Sequence, residues 1–173
     1  MNYANIKYND IANGDGIRTS LFVSGCRNNC PGCFNKEAQD FNCGEEFTDD
    51  IMYKIIDSVD DKYHDGITLL GGDPMEPENA EVLCRLAAKF KKKYGDAKTI
   101  WCYTGYTYES ISALDPSDYR QKLLSFVDIL VDGPFIEAEK DITLRFKGSR
   151  NQRIIQFNRA TDKYKSVYAN IIG

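Results

Sequence analysis

Several things are scarce or missing in this sequence, and each absence narrows its chemistry. There is a single histidine, His64, far along the chain from the cysteines and without a partner. Zinc ribbons and knuckles pair one C-x2-C with a second Cys/His pair, so that class lacks its fourth ligand here. No run of about 18 uncharged apolar residues occurs, which argues against a membrane-spanning helix. The first ten residues, Met1 to Asp10, carry no apolar segment of the signal-peptide kind, and the expected compartment is therefore the cytoplasm. A basic excess is also missing. Lys and Arg number 22 against 26 Asp and Glu, a net charge of −4, with no electrostatic footprint for a nucleic-acid backbone. Internal repeats and low-complexity tracts are absent too. The 173 residues, 42% hydrophobic and 28% charged, suit one globular domain, 1–173, with a single core.

Cysteine, in contrast, is plentiful, and three of the six fall within one short stretch, Cys26-Arg27-Asn28-Asn29-Cys30-Pro31-Gly32-Cys33. Without a secretion signal, metal ligation accounts for this spacing better than disulfides do. The loop is entered through Gly25 and turned by Pro31-Gly32, so Cys26, Cys30 and Cys33 can converge on one metal centre. A closed structural zinc site takes four protein ligands, whereas an iron–sulfur cubane held by three cysteines keeps one iron open to an outside ligand. Cys43, ten residues further on, keeps a structural four-cysteine site as the alternative. Cys84 and Cys102 sit in apolar-patterned segments and read as small buried side chains.

Residues 1–16 read as a lead-in that ends in the turn Asn13-Gly14-Asp15-Gly16. Alternation over 17–24 predicts a strand, which places the cysteine loop at its carboxyl end. Thr48 can cap a helix with Asp49 and Asp50 in its first turn, carrying Ile51, Ile55, Val59 and Tyr63 at helical spacing and ending at Gly66. Strand 67–70 closes on Gly71-Gly72-Asp73-Pro74. Pro77 opens a second helix whose apolar face holds Val82, Leu83, Leu86, Ala87 and Phe90, up to Gly95. Strand 99–103, short helices near 107–113 and 117–125, strand 127–131 and an apolar piece at 154–157 complete the chain. This alternation predicts an α/β fold with a mainly parallel sheet. A complete (β/α) barrel takes about 250 residues, so this chain supplies only a partial one. The sharp motifs all fall on the carboxyl edge of the strands, where such sheets bind ligands.

C-x3-C-x2-C is the signature of the radical S-adenosylmethionine enzymes. The flanking strings NGDGIRTSLFVSGC (13–26), CPGCFN (30–35), LLGGDPM (69–75), WCYTGY (101–106), ILVDGPF (129–135) and RFKGSRNQRII (145–155) resemble one branch, the activating enzymes of anaerobic (class III) ribonucleoside-triphosphate reductase. The resemblance implies a shortened (β/α) barrel open on one side. It also implies a 4Fe-4S cluster on Cys26, Cys30 and Cys33, whose open iron chelates S-adenosylmethionine. Reductive cleavage of that cofactor would give a 5′-deoxyadenosyl radical, which takes a hydrogen atom from a glycine of the reductase's large subunit.

By the same resemblance, Gly32, Cys33 and Phe34 meet the adenine, although many superfamily members place the aromatic just before the third cysteine, where this chain has Gly32. A core role for Phe34 is the alternative. Gly71, Gly72 and Asp73 would receive the amino group, glycine letting backbone approach a ligand closely, or would form a simple strand-ending turn. Thr104 belongs to the third strand-end motif. Asp132 is assigned to the ribose hydroxyls or to positioning the substrate peptide, with a solvated turn aspartate as the alternative. The expected partners are the reductase and a flavodoxin or ferredoxin as reductant, with a homodimer left open.

Two basic groups stand out. Lys89, Lys91, Lys92 and Lys93 suit the negative end of the second helix and read as solvated. Arg145, Lys147, Arg150 and Arg153 read either as a dock for an acidic surface of the reductase or as a soluble loop. The rival functions are activation of another glycyl radical enzyme, of the pyruvate formate-lyase type, and a non-catalytic iron–sulfur or zinc-binding module.

Overall fold

The computed structural model describes residues 1–158 and 163–166. Its centre is a mixed eight-stranded sheet in the order β3-β1-β2-β4-β5-β6-β7-β8. The strands are β1 (Asn2–Asp10), β2 (Ile17–Val23), β3 (Glu45–Glu46), β4 (His64–Gly71), β5 (Thr99–Tyr103), β6 (Ile129–Asp132), β7 (Arg153–Asn158) and β8 (Lys163–Ser166). β2, β4, β5 and β6 run parallel, while β1 and β3 on one side and β7 and β8 on the other are antiparallel. The helices are α1 (Asp49–Asp57), α2 (Pro77–Tyr94), α3 (Tyr108–Ser112) and α4 (Tyr119–Leu124). Thr48 caps α1 and Pro77 opens α2, as the local residues predict.

The register sorts the central strands into two faces. Leu21, Leu69, Cys102, Leu130 and Ile155 lie in one row across the sheet. They share a buried cluster with Met52 and Ile55 of α1, Leu83, Leu86 and Phe90 of α2, Ile111 of α3 and Leu123 of α4, so all four helices pack on this face. Phe22, Leu70, Tyr103, Val131 and Ile154 form the neighbouring row on the opposite face. That face carries a smaller cluster, in which Trp101, Ile129, Val131 and Ile154 meet Phe146. Among the described residues the four α-helices lie on one face, and the other face lines a cavity.

Three expectations are corrected. The lead-in contains a nine-residue strand, β1, with two register irregularities against β2. Its alternation is faint because most of its side chains stay at least partly in water. Gly66 does not end α1, which stops at Asp57. It lies inside β4, where a Cβ would come within 1.9 Å of the Thr99 carbonyl oxygen of the adjoining strand. Lys91 is not a solvated cation, since its nearly buried ammonium pairs with Asp128 at 2.7 Å. Among the described residues no helix is long and apolar enough to cross a membrane.

Arg18 is the largest fully buried side chain. Its guanidinium donates to the Thr68 hydroxyl (2.8 Å) and to the carbonyls of Ile67 (2.7 Å), Thr99 (2.7 Å) and Asp15 (3.1 Å), and lies 5.7 Å from the Trp101 ring centre. Burial pulls its pKa down to about 10. One planar fork thus ties β2, β4 and β5 together. Arg18→Leu leaves several buried acceptors without donors and is expected to lower stability by at least about 2 kcal/mol in urea unfolding. Arg18→Lys should restore only part of it, because an ammonium cannot span the same acceptors.

Candidate metal centre

The cysteine loop is rooted where β2 runs out. Gly25 (φ 98°) donates to the Ala38 carbonyl at 2.8 Å and Cys26 to that of Gln39 at 3.1 Å, which ties the loop root to the short 3-10 turn Glu37–Gln39. At Cys30-Pro31-Gly32-Cys33 the chain reverses, with Gly32 at φ 68° and Cys33 N–H donating to the Cys30 carbonyl at 3.2 Å. Proline followed by a glycine of positive φ is the type II turn that this dipeptide predicts. Arg27 anchors the loop to the start of α2. Its backbone N–H and guanidinium both reach the fully buried Glu76 carboxylate, and the guanidinium also pairs with Glu78 and lies 4.4 Å from the Phe41 ring centre.

The turn after β4 is pressed against this root. Gly72 N–H donates to the Val23 carbonyl (2.7 Å) and Asp73 N–H to that of Gly25 (2.8 Å). A Cβ on Gly72 would lie 2.5 Å from the Gly25 oxygen and 2.7 Å from the Ala38 oxygen. The close approach that demands glycine at 72 is therefore to the chain's own backbone. Asp73 is buried, and its carboxylate accepts four hydrogen bonds. They come from Met75 N–H (2.9 Å) and the Thr104 hydroxyl (2.8 Å) on one oxygen, and from Gly105 N–H (2.9 Å) and the Asn28 amide (2.9 Å) on the other. Burial pushes its pKa up to about 6 against those hydrogen bonds.

These turns meet at a cavity of about 630 Å³ along the carboxyl ends of the parallel strands. That size suits a cofactor-sized ligand. Cys26, Cys30 and Cys33, all partly buried, line it together with Gly32, Phe34, Gly71, Gly72, Asp73 and Thr104. Phe34 is fully exposed at the cavity, so the core alternative for it fails.

Asp132 is not among the lining residues. Strand alternation explains why, since Val131 faces the cavity side and Asp132 therefore faces the helices. There its buried carboxylate accepts from Tyr108 N–H (2.7 Å) at the start of α3 and pairs with Arg153, which also holds Glu109. A ribose-binding role for Asp132 has no support in this placement. The period-two pattern of β6 carried the signal that would have excluded it.

The segment 135–148 closes the cavity with Phe135, Ile142, Leu144 and Phe146, none of them singled out from sequence. In the basic group, Arg145 pairs with Asp15, Arg150 with Asp141 and Arg153 with Asp132, so three of its four charges are neutralised within the chain. Cys43 does not line the cavity.

The donor set fits an iron–sulfur cluster. Among the described residues no three His, Cys, Asp or Glu side chains gather as they would around a single ion. A cubane takes each thiolate on a different iron, and three cysteines lining one partly apolar cavity would leave its fourth iron without a protein ligand.

The fold and this site define a class, the single-cluster iron–sulfur proteins. A family model described as "4Fe-4S single cluster domain" matches residues 12–155. Among curated proteins, the chain is 39% identical over 160 residues to the anaerobic ribonucleoside-triphosphate reductase-activating protein of Haemophilus influenzae, covering 91% of this chain and 99% of that one. Its counterpart in Vibrio cholerae is 40% identical over 159 residues, with the same coverage. That of enterobacteria phage T4 is 35% identical over 156 residues, covering 89% of this chain and 93% of the other. The chain belongs to the family of anaerobic ribonucleoside-triphosphate reductase-activating proteins.

Gly72→Ala should displace the loop root and lower the iron bound per chain at least twofold after anaerobic reconstitution. Cys43→Ala should leave it unchanged. Iron and sulfide content of the purified variants checks both.

Proposed function

We propose that this protein activates an anaerobic ribonucleoside-triphosphate reductase, using a 4Fe-4S cluster and S-adenosylmethionine as cofactors. The observation that carries this reading is the meeting of Cys26, Cys30 and Cys33 with the Gly71-Gly72-Asp73 turn around one cavity at the carboxyl ends of the parallel strands. When bound, the cluster supplies the electron that splits S-adenosylmethionine into methionine and a 5′-deoxyadenosyl radical, which takes a hydrogen atom from a reductase glycine and leaves a glycyl radical there.

The three cysteines hold the cluster, and Phe34 stacks on the adenine from its exposed position. Asp73 works indirectly. Its acceptor positions are filled by Met75, Thr104, Gly105 and Asn28, so it fixes the ends of β4 and β5, and its buried negative charge favours a cationic ligand in the adjoining cavity. Thr104, bonded to Asp73, has the same framing role. The sheet is the partial (β/α) barrel of the radical S-adenosylmethionine type, and its helix-free face admits a protein segment as substrate. The chain acts as one domain, 1–173, in the cytoplasm, reduced by a flavodoxin or ferredoxin and able to pair as a homodimer.

Anaerobic electron paramagnetic resonance of the reconstituted, reduced protein tests this directly. The cluster signal should change on adding S-adenosylmethionine, and 5′-deoxyadenosine should form. Replacing any one of Cys26, Cys30 or Cys33 by Ala should cut product formation at least a hundredfold. A metal site indifferent to S-adenosylmethionine would overturn the reading.

A further inference from the structure

The mouth of the cavity carries side chains that the protein leaves unmatched. Among the large apolar residues that stand out into water, Phe34 is fully exposed, Ile142 91% and Ile11 73%, more than any other described residue of that kind. Phe34 and Ile142 line the cavity, and Ile11 precedes Ala12, which lines it too. Exposed apolar groups scattered singly need no explanation, whereas three gathered at one opening mark a contact surface.

Charge at the same opening is unmatched in one sign only. The Lys and Asp side chains lining the cavity are Lys7, Lys140, Lys147, Asp73 and Asp141. Both carboxylates are satisfied, Asp73 by its four donors and Asp141 by Arg150 and Thr143. The ammonium groups are not. Lys7 lies 5.1 Å from the Phe22 ring centre, and among the described residues none of the three lysines forms an ion pair. The neighbouring arginines differ, since Arg145, Arg150 and Arg153 each hold a carboxylate. Glu137 and Glu139 belong to the same segment, but neither lines the cavity. A chain of net charge −4 thus turns spare positive charge toward this mouth.

We infer that Ile11, Ile142, Lys140 and Lys147 form a docking rim for the reductase, whose contacting surface is acidic and partly apolar, an inference that rests on reading this protein as a reductase activator. The transferred particle decides between the reductase and the reductant as occupant. An electron can cross intervening protein, so a flavodoxin or ferredoxin can sit elsewhere on the surface. A hydrogen atom passes only between reacting atoms about 3–3.5 Å apart, so the glycine must enter the cavity and the protein carrying it must sit on the mouth. There the lysines attract and orient an acidic surface, and the apolar side chains exclude water from the contact.

Two measurements with the anaerobic reductase of the same organism test this. Lys140→Glu and Ile11→Asp should each raise the reductase concentration that gives half-maximal glycyl radical by about fivefold. Lys92→Glu makes the same change of charge at an exposed site on α2, across the sheet from the cavity, and should leave that concentration unchanged. The other measurement needs no variant. Lysine acetylation read by mass spectrometry should slow about threefold at Lys140 when the reductase is bound, and keep its rate at Lys92. Unchanged half-maximal concentrations in both rim variants overturn the inference, as does an equal rise with Lys92→Glu. So does a Lys140 that the reductase leaves unprotected, or that only the reductant or a second copy of this chain protects. If the unaltered protein, reduced, forms no 5′-deoxyadenosine from S-adenosylmethionine, the reading of the site fails instead, so the two failures are distinguishable.

Discussion

The buried Asp73 carboxylate is the constraint from which the site takes its shape. A carboxylate withdrawn from water is costly unless each oxygen is hydrogen-bonded, and here the donors come from three separate stretches of chain. Met75 belongs to its own turn, Thr104 and Gly105 follow β5, and Asn28 lies in the cysteine loop. Satisfying one charge therefore sets the relative positions of the segments that line the cavity. The Gly72 contact with the Gly25 and Ala38 carbonyls supplies the steric half of the same junction.

The sheet makes such a junction available at this edge. Parallel strands β2, β4, β5 and β6 deliver their carboxyl ends side by side, and the row Leu21, Leu69, Cys102, Leu130 and Ile155 commits the opposite face to the helices. The amino-terminal half of the cavity face is filled differently. Arg18 and Trp101 brace it, with the guanidinium bound to Thr68 and to backbone carbonyls, and they also line a second, smaller cavity of about 280 Å³ there.

Local chemistry was legible in the sequence wherever one residue acts on its immediate neighbours. The Thr48 cap, Pro77 at the start of α2 and the Pro31-Gly32 turn all depend on short-range sterics or hydrogen bonds, and the structure has each of them; β2 is present as well, although it is buried on both faces and does not alternate. What stayed hidden depends on partners distant in sequence. Gly66 reads as a helix stop until Thr99 is seen lying against it, and β1 has too little buried surface for a clear period. Asp132 looked like part of a ligand-binding edge because its position at a strand end was weighed above its parity along the strand. Asn28 and Glu76 gave no signal, since neither matters until the cysteine loop and the turn after β4 are brought together.

That meeting raises an electrostatic problem, because it sets two buried carboxylates, Asp73 and Glu76, beside a loop that carries three thiols. The two are compensated by different means. Glu76 shares the charge of Arg27 with Glu78, and the Arg27 side chain remains half in water and so adds little desolvation of its own. Asp73 receives only neutral donors, from Met75, Thr104, Gly105 and Asn28. The one cation of the cysteine loop is thus committed to Glu76 and Glu78, and the junction at Asp73 is held by neutral donors from three stretches of chain.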